Sequence, residues 1–159
     1  MKRSWAIVVA DRNPRVRQFL ERELAAEGYS VQGVWNDEEL WRVLNSDRSP
    51  DLVILDPDIP KLDPWRLISD LRTHCPSLPI VIHSFDNEYT AHPSLGQPSA
   101  YIEKSGSNIN ELKEVVSDLL RSRYPHRFSE PPSTEVRTSA KSGRPVRTKN
   151  RKAGQKGSP

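Results

Sequence analysis

Leu52-Val-Ile-Leu55 is a continuous apolar, partly β-branched run, the pattern of a strand buried on both faces. It stops at Asp56, and Pro57 and Pro60 forbid helix or ladder immediately beyond it. Such a strand needs a layer above and a layer below, which directs the chain toward a parallel sheet between helices. A carboxylate at the carboxyl end of a central parallel strand stands on the rim where open α/β sheets place their ligands. Taken alone, Asp56 would equally serve to cap a turn.

The rest of the chain repeats the alternation. Trp5–Ala10 reads as a first strand ending at Asp11, after which Asn13 offers an N-cap and Pro14 the favoured first helical position. Val16, Phe19, Leu20 and Leu24 follow at helical spacing, and Gly28 supplies a stop. Tyr29–Val34 is a second strand, and Asn36 with Glu39 forms a capping-box-like start ahead of Leu40, Val43 and Leu44. Asp63-Pro64 repeats the cap-plus-proline device before Leu67, Ile68 and Leu71. Pro79–Ser84 and Ala100–Glu103 read as strands four and five. A last helix starts near Asn108, with Glu111 three residues on, and carries Ile109, Leu112, Val115, Val116, Leu119 and Leu120 inward.

Alternating strands and helices joined by right-handed crossovers predict a five-stranded parallel sheet covered on both faces. One crossover is weak. Residues 85–99 carry Pro93, Gly96 and Pro98 and almost no apolar period, which predicts a short or distorted fourth helix.

Charge divides the chain. Residues 136–159 hold eight Lys and Arg and no acid, whereas residues 1–135 hold all 21 acids against 16 bases. The overall charge of +3 is therefore a property of the end of the chain and not of the folded body. Beyond Tyr124 the composition turns to Pro, Ser, Thr, Gly and basic residues, with too little apolar surface to offset ordering entropy. The division expected is a folded domain over 1–124 and a disordered basic tail over 125–159. The tail is compatible with a solvated extension or with non-specific contact to nucleic acid through 136–159. Ser142-Gly-Arg-Pro145 is a weak match to minor-groove hooks because the preceding arginine is missing.

Cys75 is the single cysteine, which excludes an internal disulfide framework and suits a reducing compartment. No apolar run reaches the roughly 18 residues of a membrane span, and the amino-terminal apolar run is too brief for a signal peptide. A cytoplasmic location is expected.

Four strand ends converge on one rim: Asp11, Asp56, Ser84 and, one residue past the fifth strand, Lys104. Two acids, a hydroxyl and an amine are what a phosphorylatable carboxylate needs. One acid attacks phosphorus, a cation held by acids screens the approaching anion, and the hydroxyl and ammonium hold the phosphoryl oxygens. Asp11 with Asn13-Pro14, then Asp51-Leu-Val-Ile-Leu-Asp56 with Pro60, Ser84, and Tyr101-Ile-Glu-Lys104 together resemble the receiver domain of bacterial two-component response regulators. The resemblance covers roughly residues 4–123.

It implies a flavodoxin-like, doubly wound sheet of order 2-1-3-4-5. It further implies a phosphoacceptor and not an enzyme, with Asp56 phosphorylated by a histidine kinase or a phosphotransfer protein and an output protein downstream. By the same resemblance Asp11 belongs to the acid pocket, and Asp11, Asp56 and the main-chain carbonyl of Asp58 would hold Mg2+. Ser84 and Lys104 would grip the phosphoryl group, and Tyr101 would be the aromatic that reorients on activation.

Two departures qualify this expectation. The second acid usual after strand one is replaced by Arg12, which removes a carboxylate and adds a fixed positive charge. Its guanidinium either swings to solvent, leaving a weakened Mg2+ site, or lies against Asp56 and Asp11 in the place of the cation. The reversal predicts impaired, metal-poor phosphorylation, or a phosphorylation-independent interaction module. Ser105 follows Lys104 where the family has proline, so the cis bond common there is not expected. Asp56-Pro-Asp58 also resembles the nucleophile motif of haloacid-dehalogenase-type phosphatases, but that motif belongs on a first strand and no adjacent acid pair follows Lys104. His83 reads as a core-edge histidine, and Trp35, Trp41 and Trp65 as packing or partner-facing residues.

Overall fold

The computed structural model describes residues 4–60, 63–90 and 99–129. Five parallel strands, β1 (Ala6–Ala10), β2 (Ser30–Val34), β3 (Leu52–Leu55), β4 (Ile80–Ser84) and β5 (Ser99–Glu103), form one sheet in the order β2-β1-β3-β4-β5. The helices are α1 (Pro14–Ala26), α2 (Asp37–Leu44), α3 (Pro64–His74), α4 (Ile109–Arg123) and α5 (Pro125–Ser129). The predicted sheet and its strand order are both observed, with strand ends shifted by a residue at most.

Every residue of Leu52–Leu55 is buried, as a strand covered on both sides requires. Val8, Val53, Leu55, Ile80 and Ile82 face Leu40 and Leu44 of α2 and Leu67, Ile68 and Leu71 of α3. Ile7, Val9, Leu52, Ile54 and Val81 face Leu20 and Leu24 of α1 and Leu112, Val116 and Leu120 of α4. Period-two alternation in β1 and β3 thus feeds two apolar layers from one sheet.

Local caps explain why the helices start where they do. The Asn13 side chain accepts from Arg15 N ahead of Pro14, and the Asp63 side chain accepts from Arg66 N ahead of Pro64. Asn36 accepts from Glu39 N. The Glu39 carboxylate reaches back to the amide and indole N–H of Trp35 instead of closing on Asn36. Gly28 takes φ 92 at the end of α1, a conformation that costs glycine little. Asn108 precedes α4 as expected, but its side chain makes no cap bond. Its side-chain amide donates to the Glu103 carbonyl, which ties the start of α4 to β5.

In the fourth crossover, the described part is a single 3-10 turn, Asn87–Tyr89, capped by Asp86. Residues 91–98, which carry the rest of that expectation, lie outside the described residues, as do 130–159 and with them the basic stretch.

The expected boundary after Tyr124 is corrected. Pro125–Ser129 forms α5, which docks under the amino-terminal edge of the sheet. Trp5 stacks on Phe128 at 5.2 Å, and the Arg127 guanidinium sits 3.4 Å from the Trp5 ring centroid. Arg127 also pairs with Asp51 at 2.9 Å, while the Tyr124 hydroxyl donates to the Asp51 carbonyl. Composition hid this turn because its partners Asp51 and Trp5 are more than 70 residues away in sequence. Arg127→Ala is expected to lower stability by about 1–2 kcal/mol, most of it from the cation–π contact because the ion pair is partly solvated. A urea titration reads this as a lower midpoint at unchanged slope; a midpoint equal to wild type would show that α5 is not held this way.

Candidate functional site

β1, β3, β4 and β5 present Asp11, Asp56, Ser84 and Lys104 at one rim, and all four side chains are buried. Backbone bonds lock the rim: Asp56 N donates to the Ala10 carbonyl at 2.8 Å, and Lys104 N to the Ser84 carbonyl at 2.9 Å. The Lys104 ammonium lies 2.7 Å from Asp11 Oδ2 and 2.9 Å from Asp56 Oδ2. One buried cation therefore holds two buried carboxylates. Asp56, 2% exposed, also accepts the Asp58 amide on Oδ1 at 3.0 Å.

Asp11 accepts the Asn13 amide on Oδ1 at 2.8 Å, and its carbonyl accepts from the Arg17 guanidinium. Its Oδ2 is charge-paired with Lys104, but the contact is not a directed hydrogen bond. Burial pushes the Asp11 carboxyl above the usual range, against the lowering effects of Lys104 and the Asn13 amide. The carboxylate pair and the lysine thus form a tight internal ion cluster.

Arg12 takes neither extreme of the two sequence-based alternatives. Its side chain is 60% exposed, with Nε 3.8 Å from Asp56 Oδ2. It stands at the mouth of the pocket, and the group placed between Asp11 and Asp56 is Lys104. The reason is reach: the end of β5 delivers the ammonium from inside the sheet, whereas Arg12 leaves β1 heading outward.

Ser84 and Tyr101 come together. The Tyr101 hydroxyl donates to the Ser84 carbonyl at 3.1 Å, and the Ser84 hydroxyl accepts the Asp86 amide at 3.1 Å. His83, next along β4, is buried. Burial, reinforced by Lys104, lowers its imidazole to about 4, so it is neutral at ordinary pH. Trp65 packs on Tyr89 at 4.8 Å, Trp41 edge-on to His74 at 5.4 Å, and Trp35 is exposed.

Two residues at the rim escaped the sequence reading. Tyr89 is buried in the stretch that lacked apolar period, and its phenol is pushed up by burial and by Asp58, Glu88, Asp86 and Asp56. Phe85, directly after Ser84, is 74% exposed, with its ring 5.6 Å from the Lys104 ammonium. Two aromatics in an otherwise polar, unpatterned segment were the available signal, and nothing local told the buried Tyr89 from the exposed Phe85.

The donor set fits Mg2+ poorly. Mg2+ is usually held by one or two carboxylates together with waters and phosphate oxygens. Here both carboxylates already face an ammonium, and a guanidinium stands beside one of them. The Asp11–Asp56 pair is matched by these two cations, which leaves no net negative charge between the two carboxylates themselves. Among the described residues no group of three or more His, Cys, Asp or Glu is placed to hold a metal.

A doubly wound parallel sheet with an acid at the end of its central strand, a second acid beside it and a lysine from the last strand defines a receiver-type α/β protein. A family model described as the response regulator receiver domain matches residues 7–116, and the chain belongs to that family. The response regulator MprA of Mycolicibacterium vanbaalenii is 38% identical over 114 residues, 72% of this chain and 46% of that protein. The DNA-binding transcriptional regulator NtrC of a Bradyrhizobium strain is 29% identical over 117 residues, which is 24% of its length. The chain thus spans half or less of these curated relatives. Among solved structures, the response regulator TrrA of Thermotoga maritima, in complex with Mg2+ and BeF, is similar with a TM-score of 0.64 and 30% identity. That match covers 72% of this chain and 98% of TrrA. NtrX of Brucella abortus gives a TM-score of 0.68 at 26% identity, over 79% of this chain and 29% of that one.

Proposed function

We propose that the protein is a phosphorelay receiver in which Asp56 is the phosphoacceptor and Lys104, with Arg12, supplies the positive charge that other receivers take from Mg2+. The observation that carries this reading is the Lys104 ammonium, 2.9 Å from a buried acid at the end of the central strand. A carboxylate oxygen of Asp56 forms a bond to phosphorus as the P–N bond of a phosphohistidine breaks. The imidazole leaves with the electron pair and takes its proton from solvent. Lys104 and Arg12 then face the phosphoryl oxygens, and Ser84 lies beside Lys104 on the neighbouring strand.

The donor would be a histidine kinase or phosphotransfer protein and the location cytoplasmic. The output protein would read the rim around Tyr101 and Phe85. The similarity to TrrA, a response regulator solved in complex with Mg2+ and BeF, supports a receiver role at 30% identity, while the crowded acid pair here supports weakened metal dependence. No helix among the described residues is long and apolar enough to cross a membrane.

A second reading has its own support. Lys104 satisfies both acids at once, and Tyr101 is tied to Ser84, so the rim is self-complete without a phosphoryl group. On that reading the chain is a constitutive interaction module. Intact mass after incubation with acetyl phosphate, with and without Mg2+, separates the two. The first expects a single phosphoryl adduct, nearly as abundant without Mg2+ and absent from Asp56→Asn. No adduct under forcing conditions would sink the first reading and leave the second. The basic stretch 136–159 is offered as a non-specific polyanion contact; its removal is expected to abolish DNA retention at low salt.

A further inference from the structure

Asp11 is held at every polar group. Its amide donates to the Val34 carbonyl at 3.0 Å, its Oδ1 accepts the Asn13 amide at 2.8 Å, and its Oδ2 lies 2.7 Å from the Lys104 ammonium. The remaining group, the Asp11 carbonyl, accepts a hydrogen bond at 2.5 Å from the guanidinium of Arg17, six residues on along the chain. That carbonyl belongs to the peptide that joins Asp11 to Arg12. Turning this peptide would carry the Asn13 amide away from the carboxylate it holds, and the Arg12 side chain away from Asp56.

Arg17 differs from its neighbours in placement. Arg15 and Arg22 on the same helix are exposed, whereas Arg17 is half-buried. Its stem crosses β2 at Gly33, where a Cβ would run into the Glu21 carboxylate and come within 3.4 Å of Arg17 Cδ. The side chain that Gly33 lacks is therefore room that Arg17 and Glu21 occupy. Helix stability does not call for this cation: the first turn of α1 holds no acid, and positive charge at that end opposes the macrodipole. Reach does call for it. A helical side chain leans toward the helix amino terminus, so a long one at position 17 returns to the end of β1. The influences that shift the Asp11 carboxyl are burial, Lys104, the Asn13 amide and Asp56, and Arg17 is not one of them. Its action on the pocket is therefore positional and not coulombic.

We propose that Arg17 is a positioning residue of the acid pocket. Its bond to the Asp11 carbonyl fixes the Asp11–Arg12 peptide, and with it the Asp11 carboxylate against Lys104 and the Arg12 guanidinium beside Asp56. Arg17 touches no reacting atom, and its effect on phosphoryl transfer rests on the reading of Asp56 as phosphoacceptor. Without Arg17, the Asn13 amide no longer pins Asp11 Oδ1, Lys104 settles more fully on Asp56, and Arg12 leaves the place where it faces the phosphoryl oxygens. The nucleophile is then more firmly ion-paired and the incoming group less well oriented. Both effects slow transfer, and neither weakens the first encounter with a donor.

The test follows labelling of the full chain by acetyl phosphate, read as intact mass against time over a range of acetyl phosphate concentrations. Arg17→Met, which keeps an apolar stem, is expected to lower the maximal labelling rate about tenfold and to leave the half-saturating concentration within about twofold. Arg17→Lys should return the rate to within about threefold of wild type, since a single bond to one oxygen does not need the planar fork. Gly33→Val suits a strand and leaves Arg17 in the chain, but crowds its stem, so it should slow labelling in the same direction. It decides the matter if Arg17→Met does not fold. A second readout needs no phosphoryl group: in 1H–15N spectra the Arg12 amide and the Lys104 ammonium signals should move in Arg17→Met and return in Arg17→Lys. Absence of any adduct on wild type would remove the phosphoacceptor reading, and these signals alone would then decide whether Arg17 places the pocket. The proposal is overturned by a maximal rate for Arg17→Met within about twofold of wild type, or by equal losses in Arg17→Met and Arg17→Lys. It is equally overturned if the Arg12 and Lys104 signals of Arg17→Met stay at their wild-type positions.

Discussion

Lys104→Met is expected to lose about 3–5 kcal/mol of folding free energy at neutral pH, because it leaves buried Asp11 with no countercharge and buried Asp56 with only the solvent-exposed Arg12 at 3.8 Å. The methionine refills the space, so the loss reports charge and not a cavity. Asp11 and Asp56 are 1% and 2% exposed and share the one ammonium, so neither finds a substitute in solvent. The loss should depend on pH in a defined direction. The Asp11 carboxyl already lies above its ordinary value in the folded protein, and removal of Lys104 raises it further. An acid whose folded pKa is raised binds more protons folded than unfolded. Stability is then full below the unfolded pKa and falls as pH rises toward the folded one.

The variant should accordingly recover part of its deficit on acidification. His83 works with the opposite sign in the wild type. Its folded value near 4 lies below the ordinary 6.5, so stability is present above 6.5 and is lost as pH falls toward 4. Urea titrations across this range resolve the two, since the Lys104→Met deficit should shrink relative to wild type. A deficit under about 1 kcal/mol at neutral pH would mean that the acids are neutral or hydrated in the native protein, and the ion cluster described above would be wrong.

Arg12→Asp is expected to tighten Mg2+ binding at least about tenfold, measured by calorimetry. The change removes a positive charge and adds a negative one near Asp56, and each acts on a divalent ion. Solvent and salt screen an exposed side chain, which holds the gain well below what a buried pair would give. The accompanying prediction, which rests on the proposed phosphoacceptor role, is that acetyl-phosphate labelling depends on Mg2+ in the variant and is nearly independent of it in the wild type. Unchanged Mg2+ affinity would place the obstacle at Lys104, whose ammonium stands between the acids. The double substitution with Lys104→Met then separates the contributions, because the two side chains share Asp56 and their effects will not simply add.

Much of the site was legible in the chain because the chemistry sits at strand ends. Asp56 and Asp11 terminate runs of buried apolar residues, and strand termini are marked by where β-branched residues stop. Helix starts were legible for the same kind of reason, since Asn13-Pro14 and Asp63-Pro64 act over one turn. Asn108 marks the start of α4 as expected, yet its side chain makes no cap bond. It has a competing partner, the Glu103 carbonyl, that only the packing of β5 brings within reach. Phe19 carried helical spacing toward the core and yet ends exposed. Spacing sets which side of a helix a residue occupies, but not whether a neighbour covers it.

What the residue pattern determined alone is a parallel sheet of five strands and the acid at the end of its third; the strand order was implied by the resemblance to receiver domains and is the one observed. Apolar period, caps and crossover handedness are short-range rules and need no knowledge of distant residues. Tertiary structure alone decided which cation the acids hold. Arg12 is next to Asp11 in the chain, but Lys104, 48 residues from Asp56, is the one delivered between the two carboxylates. It also decided that α5 docks on Trp5 and that the His83 Nδ1 is enclosed without a hydrogen-bond partner. Those outcomes turn on distances of a few ångströms between segments far apart in the chain, and no local pattern of residues encodes such distances.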